Sequence, residues 1–213
     1  MLRLLRALFY QGFVKLVVML VLGLNVRHRE RLPQQGPAII VANHNSHLDT
    51  MVLMTLLPAK LLPITQPVAA LDYFLRNRLL AWFTLNIIGI LPIQRQRNDS
   101  DSDPLELCYQ ALGNGRILVL FPEGSRGQPE VLSDFKWGIA KLSDRFPDVP
   151  ITPVYMHGLG KALPKGEALL VPFFCDVFVG ETLFWSGNRA AFMQQLQDSM
   201  AALAREGRFP VWE

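Results

Sequence analysis

Short apolar runs and amphipathic segments alternate along most of the chain. The apolar runs are typical of buried strands, and the amphipathic segments have the spacing of helices. The predicted strands are Ala38–Ala42, one strand within Leu61–Ala70, Ile88–Ile93, Ile117–Phe121, Ile151–Met156 and Ala168–Val179. The predicted helices are Leu48–Leu57, Tyr73–Leu85, Asp103–Gly113, Phe135–Arg145 and Arg189–Arg205. This alternation predicts an α/β fold, with a mainly parallel sheet flanked by helices. A length of 213 residues suits one well-filled domain and is short for two.

Residues 1–30 precede this pattern and are predicted to form an amphipathic, membrane-associated helix, so that residues 31–213 make up the α/β domain. The uncharged run from Leu16 to Val26 is shorter than the roughly 20 apolar residues that a spanning helix needs. A helix lying in the membrane interface fits better. Its apolar face would contain Leu2, Leu5, Leu8, Phe9, Phe13, Leu16 and Leu20, with Arg3, Arg6 and Lys15 reaching to the polar headgroups. The alternative is a first helix packed on the domain, because helical periodicity alone does not distinguish these two kinds of burial.

Charge and cysteine content narrow the cellular setting. The net charge of +3 comes from 21 basic and 18 acidic residues, and the excess is concentrated in the first 31 residues. A basic, apolar amino terminus suits the anionic cytoplasmic face of a cell membrane. Cys108 and Cys175 are the only cysteines, which predicts a reducing compartment and no disulfide framework.

Several functional classes have no signature here. The chain contains neither the phosphate-binding loop of nucleotide-binding proteins nor the Gly-x-Ser-x-Gly turn of serine hydrolases. Its basic residues are not interleaved with aromatic residues in a nucleic-acid-binding pattern. No nucleic-acid partner is expected.

The first motif with catalytic potential follows the Ala38–Ala42 strand. His44 and Asp49 lie five residues apart across a strand-to-helix junction. A histidine with an ordinary pKa can take a proton from a substrate hydroxyl at neutral pH. A carboxylate one helical turn away can hold the imidazole tautomer and stabilise the imidazolium.

Two other interpretations of this motif remain open. In one, Asn45 and Ser46 serve only as helix caps for free backbone N–H groups. Alternatively, His44, His47 and Asp49 could bind zinc or iron, as in a metal-dependent hydrolase. The His-Glu-x-x-His signature is absent and no second histidine cluster exists, so no metal is predicted, and His47 is expected to pack or hydrogen-bond on the helix.

The second motif, Phe121–Gly127, follows the Ile117–Phe121 strand and reads Phe-Pro-Glu-Gly-Ser-Arg-Gly. Glycines allow a ligand close to the backbone, and arginine binds phosphate through two parallel hydrogen bonds. Arg95 would add a second positive charge at the end of a neighbouring strand. The alternative is a turn with a surface ion pair between Glu123 and Arg126. Because ligand-binding loops gather at the carboxyl edge of such sheets, the two motifs are expected to meet at one site.

These residues resemble those of the glycerolipid acyltransferases, and most closely the bacterial 1-acylglycerol-3-phosphate acyltransferases. Four blocks carry the resemblance over roughly residues 38–183. They are the His44–Asp49 block, Gly89–Arg95, Phe121–Arg126 and Ile151–Val154. Phe135–Gly138 and Val177–Glu181 are softer matches. Gln94 departs from the acidic residue usual in the second block, and Tyr155–His157 departs from the small or β-branched residues usual after the fourth.

The resemblance implies a function and a role for each site residue. His44 would act as the catalytic base and Asp49 would orient it. The substrate-binding residues would be Arg95, Glu123, Gly124, Ser125 and Arg126. The expected reaction moves a fatty acyl group from acyl-CoA or acyl-carrier protein to the free hydroxyl of a lysophospholipid, with no metal and no further cofactor.

The acceptor implied by the resemblance is 1-acylglycerol 3-phosphate, which would give phosphatidic acid. The alternative acceptors are a different lysolipid or an amino-acid-based lipid. The alternative functions are a metal-dependent hydrolase and a non-catalytic lipid-binding protein. The expected location is peripheral or monotopic attachment to the cytoplasmic face of the inner (cell) membrane.

Overall fold

A computed structural model describes residues 1–70, 77–93, 103–127, 131–163 and 171–209. Its strands form a seven-stranded sheet in the order β1-β7-β6-β2-β5-β3-β4. The strands are β1 (Leu22–Arg27), β2 (Ala38–Ala42), β3 (Thr65–Ala70), β4 (Leu91–Ile93), β5 (Ile117–Leu120), β6 (Ile151–His157) and β7 (Phe173–Val179). All neighbouring pairs are parallel except β6 with β7, which confirms the predicted α/β fold with a mainly parallel sheet.

Helices cover both faces of this sheet. They are α1 (Leu2–Val21), α2 (Leu48–Leu56), α3 (Arg78–Ile88), α4 (Glu106–Gly113), α5 (Gly138–Arg145), α6 (Leu159–Ala162) and α7 (Arg189–Glu206). The predicted helices are confirmed, with small shifts at their ends, as α2, α3, α4, α5 and α7, whereas α6 was not predicted. The predicted strand Ile88–Ile93 is shorter, because α3 continues to Ile88 and Gly89, with a φ of 79°, ends the helix. Tyr73 and Ala168, where two predicted elements begin, lie outside the described residues.

The central strands are buried on both faces, which explains their continuous apolar runs. In β2, Ala38, Ile40 and Ala42 pack into the cluster that contains α1 and α2 residues. Ile39 and Val41 point to the other side, into the cluster that contains residues of α4, α5 and α7. The carboxyl end of β2 is thereby held between two packed layers.

The amino-terminal segment differs from its prediction in one respect. The helix predicted for residues 1–30 ends at Val21, and Leu22–Arg27 forms β1, an edge strand parallel to β7. The sequence Leu-Gly-Leu-Asn-Val-Arg does alternate apolar and polar residues, and the burial of β1 alternates with it. That period-two pattern is the signal that was overlooked within an otherwise uncharged run.

Arg6 was predicted to reach toward lipid headgroups, and this was wrong. It is 8% exposed, and its Nη2 donates hydrogen bonds to the carbonyl oxygens of Thr65 at 2.6 Å and Ile88 at 3.0 Å. The Tyr10 hydroxyl also donates to the Ile88 carbonyl, at 3.1 Å. Burial of the Arg6 guanidinium lowers its pKa. These contacts attach α1 to the domain at the start of β3 and the end of α3.

The packed-helix interpretation holds for one face of α1, and the opposite face is exposed. One stripe of the helix is buried against the domain and consists of Arg6, Tyr10, Val14 and Val18. The predicted apolar face lies mainly outside it, with Leu8, Phe13, Leu16 and Leu20 between 57% and 77% exposed. By length and composition alone, Leu2–Val21 could also cross a membrane.

Candidate active site

The two motif loops meet at the carboxyl edge of the sheet, as predicted. β2 and β5 are parallel neighbours, with Val41 paired to Leu120, so the loops that follow them emerge side by side. The backbone N–H of His44 donates to Glu123 Oε1 at 2.9 Å. The N–H of Gly127 donates to the His44 carbonyl oxygen at 3.0 Å. The second loop thus holds His44 by both of its backbone polar groups.

His44 and Asp49 form a direct hydrogen bond. His44 Nδ1 donates to Asp49 Oδ2 at 2.9 Å, and the two side chains are 20% and 1% exposed. With the proton on Nδ1, the lone pair of Nε2 is available to accept a proton. Among the described residues, none forms a hydrogen bond with Nε2. This geometry is that of a general base with an orienting carboxylate.

The same Asp49 oxygen also organises the turn. Oδ2 accepts hydrogen bonds from the N–H groups of Asn45 at 2.7 Å and Ser46 at 2.8 Å. Burial raises the pKa of the Asp49 carboxyl, and the hydrogen bonds from His44, Ser46 and Asn45 oppose that rise. The capping interpretation holds for Ser46, whose hydroxyl accepts from the Leu48 N–H at 3.3 Å. It is wrong for Asn45, whose Oδ1 is buried without a hydrogen-bond partner among the described residues.

Two further residues position His44 and were not assigned a role from the sequence. The Asn43 side chain donates to the Met156 carbonyl at 2.8 Å and accepts from the Met156 N–H at 2.7 Å. This amide extends the β2–β6 pairing by one residue beyond the end of β2. Phe121 stacks on the His44 imidazole, with ring centroids 4.2 Å apart and an interplanar angle of 23°. The position of Asn43 immediately before His44 was the available signal for the first of these contacts.

Glu123 contacts the protein's own backbone. It is 5% exposed, and its Oε1 accepts the His44 N–H described above. Burial raises the pKa of the Glu123 carboxyl, while the hydrogen bond from the His44 N–H opposes the rise. This carboxylate joins the two loops, and its assignment as a substrate-binding residue stays a prediction.

The rest of the second loop lies on the same edge. Gly124 adopts a φ of 75°, which favours glycine, while Ser125 is exposed and Arg126 is half-buried. The pKa of His47 is lowered, mainly by burial and further by the positive charges of Arg126 and His44. Arg126 therefore lies close to the His47 side chain. Arg95, the remaining predicted binding residue, lies outside the described residues.

The metal-binding interpretation has no geometric support in the part of the chain that the structure describes. There, no group of three or more His, Cys, Asp and Glu side chains has an arrangement suited to a metal ion. The positive charge of Arg126 next to His47 also disfavours a cation at that histidine. The prediction of a metal-free site remains a prediction.

Fold and site together define an α/β protein with a histidine–aspartate pair beside an arginine-containing loop. The family model for acyltransferases matches residues 23–157. The chain belongs to the acyltransferase family.

Curated relatives include several enzymes of glycerolipid metabolism. A chloroplastic 1-acyl-sn-glycerol-3-phosphate acyltransferase of Arabidopsis thaliana is 28% identical over 68% of this chain and 38% of its own length. The alpha form from Mus musculus is 31% identical over 85% of this chain and 63% of its own length. A taffazin of Dictyostelium discoideum is 30% identical over 70% of this chain and 55% of its own length. The chain thus spans less than two thirds of these relatives.

One solved structure shares the fold over nearly the whole chain. It is the 1-acyl-sn-glycerophosphate acyltransferase PlsC from Thermotoga maritima, with a TM-score of 0.78 and 18% sequence identity. The match covers 97% of this chain and 81% of that one.

Proposed function

We propose that this protein transfers a fatty acyl group from a thioester donor to the free hydroxyl of a lysophospholipid. The observation that carries the proposal is the His44–Asp49 hydrogen bond, which leaves His44 Nε2 as a base at the edge where the Arg126 loop lies. Membership of the acyltransferase family supports the reaction class. The names of the Arabidopsis and mouse relatives support 1-acylglycerol 3-phosphate as acceptor and phosphatidic acid as product.

In the proposed reaction, His44 Nε2 takes the proton of the acceptor hydroxyl as its oxygen attacks the thioester carbonyl carbon. Asp49 stabilises the imidazolium through Nδ1. Collapse of the tetrahedral intermediate forms the ester bond and breaks the carbon–sulfur bond. The leaving thiolate takes the proton from the imidazolium, so the base is regenerated and no proton is gained or lost. No covalent acyl-enzyme and no metal takes part.

The acceptor is proposed to bind through its phosphate to Arg126 and Arg95. A guanidinium can form two parallel hydrogen bonds to phosphate oxygens, which fixes direction as well as distance. Holding the acceptor hydroxyl next to Nε2 supplies much of the rate, because a bound reactant no longer has to meet the base by diffusion. Acyl-CoA or acyl-carrier protein is the co-substrate.

We further propose monotopic attachment to the cytoplasmic face of the cell membrane through α1. The buried stripe of α1 fixes the helix along the domain, while its opposite face exposes Leu8, Phe13, Leu16 and Leu20. A helix bonded to the domain through Arg6 and contacting it along its length is suited to lie in one leaflet.

Helix α3 extends the same apolar surface. Phe9 of α1 contacts Phe83 of α3 edge to face, with ring centroids 5.3 Å apart. Next to this contact, Leu79 and Trp82 of α3 are 79% and 52% exposed. Two adjoining helices that expose apolar side chains form the kind of contiguous patch that marks a membrane or partner surface.

Acyl transfer tests the proposed activity. Labelled acyl-CoA is incubated with lysophosphatidic acid, lysophosphatidylcholine or glycerol 3-phosphate, and His44→Ala is compared with the unchanged protein. His28→Asn is the matched control, because His28 lies outside the site and asparagine tolerates its positive φ. Product from one acceptor that His44→Ala abolishes and His28→Asn preserves is the expected result. No product from any acceptor, with acyl-carrier protein as donor as well, would overturn the proposal. Lipid binding without turnover that survives His44→Ala would indicate a lipid-binding protein instead.

Flotation with phosphatidylcholine–phosphatidylglycerol vesicles tests the attachment. Phe13→Glu and Trp82→Glu are each expected to weaken vesicle binding about 10-fold or more, because burying such a side chain contributes about 1.5–3 kcal/mol. Phe184→Glu is the control, since Phe184 is 52% exposed and follows Leu183, which packs in the cluster on the other face of the sheet. If Phe13→Glu and Trp82→Glu bind the vesicles as tightly as Phe184→Glu and the unchanged protein, attachment through α1 and α3 is refuted.

A further inference from the structure

The segment Phe135–Gly138, a softer match in the sequence, has no role in the reaction described above. The structure places part of it directly against the second motif loop. The backbone N–H of Lys136 donates to the Pro122 carbonyl oxygen at 2.9 Å. Ser133, a little earlier on the same segment, lies beside Gly127, where an added Cβ atom would be 3.0 Å from Ser133 Oγ. The segment thereby contacts the second motif loop both before and after Gly124.

The Lys136 side chain crosses this turn at Gly124. A Cβ atom at Gly124 would lie 2.5 Å from Lys136 Nζ, 2.7 Å from Cε and 2.9 Å from Cδ. The space that a side chain would otherwise fill is occupied by the lysine stem. Its ammonium therefore lies over the middle of the loop, two residues before Arg126.

In the part of the chain that the structure describes, this ammonium has no acidic partner. Lys136 is exposed, and among the described residues it forms no ion pair. Glu123, the nearest carboxylate along the loop, directs Oε1 to the His44 N–H. The edge of the site thus carries two cations, Lys136 and Arg126, while Asp134, two residues before Lys136, is exposed and forms no ion pair with it.

We propose that Lys136 binds a phosphate group of a substrate together with Arg126. The inference rests on the proposed function and adds a binding residue to it. An ammonium has three donors on a mobile stem, so it can follow a phosphate whose orientation Arg126 sets. A phosphate at this position can come from the acceptor headgroup or from the phosphates of the CoA or phosphopantetheine donor.

The experiment compares Lys136→Gln, Lys136→Arg and Lys141→Gln in the acyl-transfer assay. Lys141 is the matched control, because it is an exposed lysine further along on α5. Lys136→Gln is expected to raise KM for one substrate about 10-fold while kcat changes little, since a hydrogen bond to a charged group is worth about that factor in affinity. A rise in KM for lysophosphatidic acid alone assigns the headgroup phosphate. A rise for acyl-CoA alone assigns the donor phosphates. Lys136→Arg should recover most of the loss, and Lys141→Gln should match the unchanged protein.

Two results would overturn the inference. One is a Lys136→Gln variant with unchanged KM for both substrates, and the other is a loss that Lys141→Gln reproduces equally. If the unchanged protein transfers no acyl group, the proposed function fails separately. Lys136 is then judged by calorimetric titration with CoA and with glycerol 3-phosphate. In that case, equal affinity of Lys136→Gln and the unchanged protein for both ligands, including no measurable affinity, overturns the inference.

Discussion

Glu123 provides a sharp test of how the two loops work together. The sequence assigns it to substrate binding, while the structure shows its carboxylate accepting the backbone N–H of His44 at 2.9 Å. Glu123→Gln keeps an oxygen that can accept this hydrogen bond and removes the negative charge. Glu123→Ala removes the acceptor altogether. The pair of variants therefore separates the carboxylate's charge from its hydrogen bond.

The magnitude follows from the lost hydrogen bond. Leaving the His44 N–H without its acceptor should lower the free energy of unfolding by about 1–3 kcal/mol in Glu123→Ala. For a domain of this size each kcal/mol lowers Tm by about 2–4 °C. A small displacement of a catalytic base can reduce kcat by as much as about 100-fold. In Glu123→Ala, where His44 loses this contact, kcat should fall about 10- to 100-fold while the KM for the acceptor stays within about twofold.

Thermal unfolding and steady-state kinetics on the three proteins provide the readouts. Glu123→Gln should unfold near the unchanged protein and keep kcat within about 10-fold, because its amide oxygen can still accept the His44 N–H. If Glu123 contacts the acceptor instead, Glu123→Gln would change acceptor KM about 10-fold or more at constant kcat. That outcome would refute the positioning role.

The pH dependence of stability adds a second readout. Burial raises the pKa of Glu123 in the folded protein, so the folded state binds this proton more tightly than the unfolded chain does. The ionised carboxylate therefore destabilises the fold at neutral pH, and this penalty disappears as pH falls through the raised pKa. The unchanged protein should gain stability relative to Glu123→Gln as pH is lowered. A loss relative to Glu123→Gln would contradict the raised pKa.

Two other predictions concern the base and the attachment of α1. Asp49→Asn keeps an oxygen that can accept the His44 Nδ1 hydrogen but removes the charge that stabilises the imidazolium. We therefore expect kcat to fall about 10²- to 10⁴-fold with the fold retained. A fall in kcat of less than about threefold would show that Asp49 does not support the base. Gly89→Ala should lower the free energy of unfolding by about 2 kcal/mol or more, because φ is 79° and the new Cβ would overlap the Arg6 guanidinium. Gly12→Ala, where nothing lies within 4 Å, should instead stabilise by about 0.5–1 kcal/mol, and a destabilised Gly12→Ala in chemical denaturation would contradict this account.

Much of the architecture was predictable because its signals are local. β2, Ala38–Ala42, was predicted with the bounds that the structure shows, since a buried parallel strand is apolar throughout. Helix α7 was predicted to within one residue at its end, because helical periodicity repeats over many turns. β1 was the exception, since its six residues continue an apolar run without a turn signal before them.

In the candidate site too, contacts between residues close in sequence were predictable and contacts between distant residues were not. The sequence alone placed His44 and Asp49 across one strand-to-helix junction, and their contact spans only five residues. The partner of Glu123 was beyond that reach, because Glu123 and His44 are 79 residues apart along the chain. The same holds for Asn43, whose amide bonds to Met156 across 113 residues.

What the sequence by itself determined is most of the strands and helices with their order, the two motif loops and the apolar face of α1. Each depends on residues that are close together in the chain, because the spacing of side chains along one strand or one helical turn sets which face they occupy. Only the tertiary structure decided that Arg6 is buried against Thr65 and Ile88 and that Lys136 crosses Gly124. The periodic pattern of residues along an element shows which face a side chain occupies. The group that covers that face comes from a distant part of the chain. The physical environment of these charges is therefore set by the packing of the sheet and its helices.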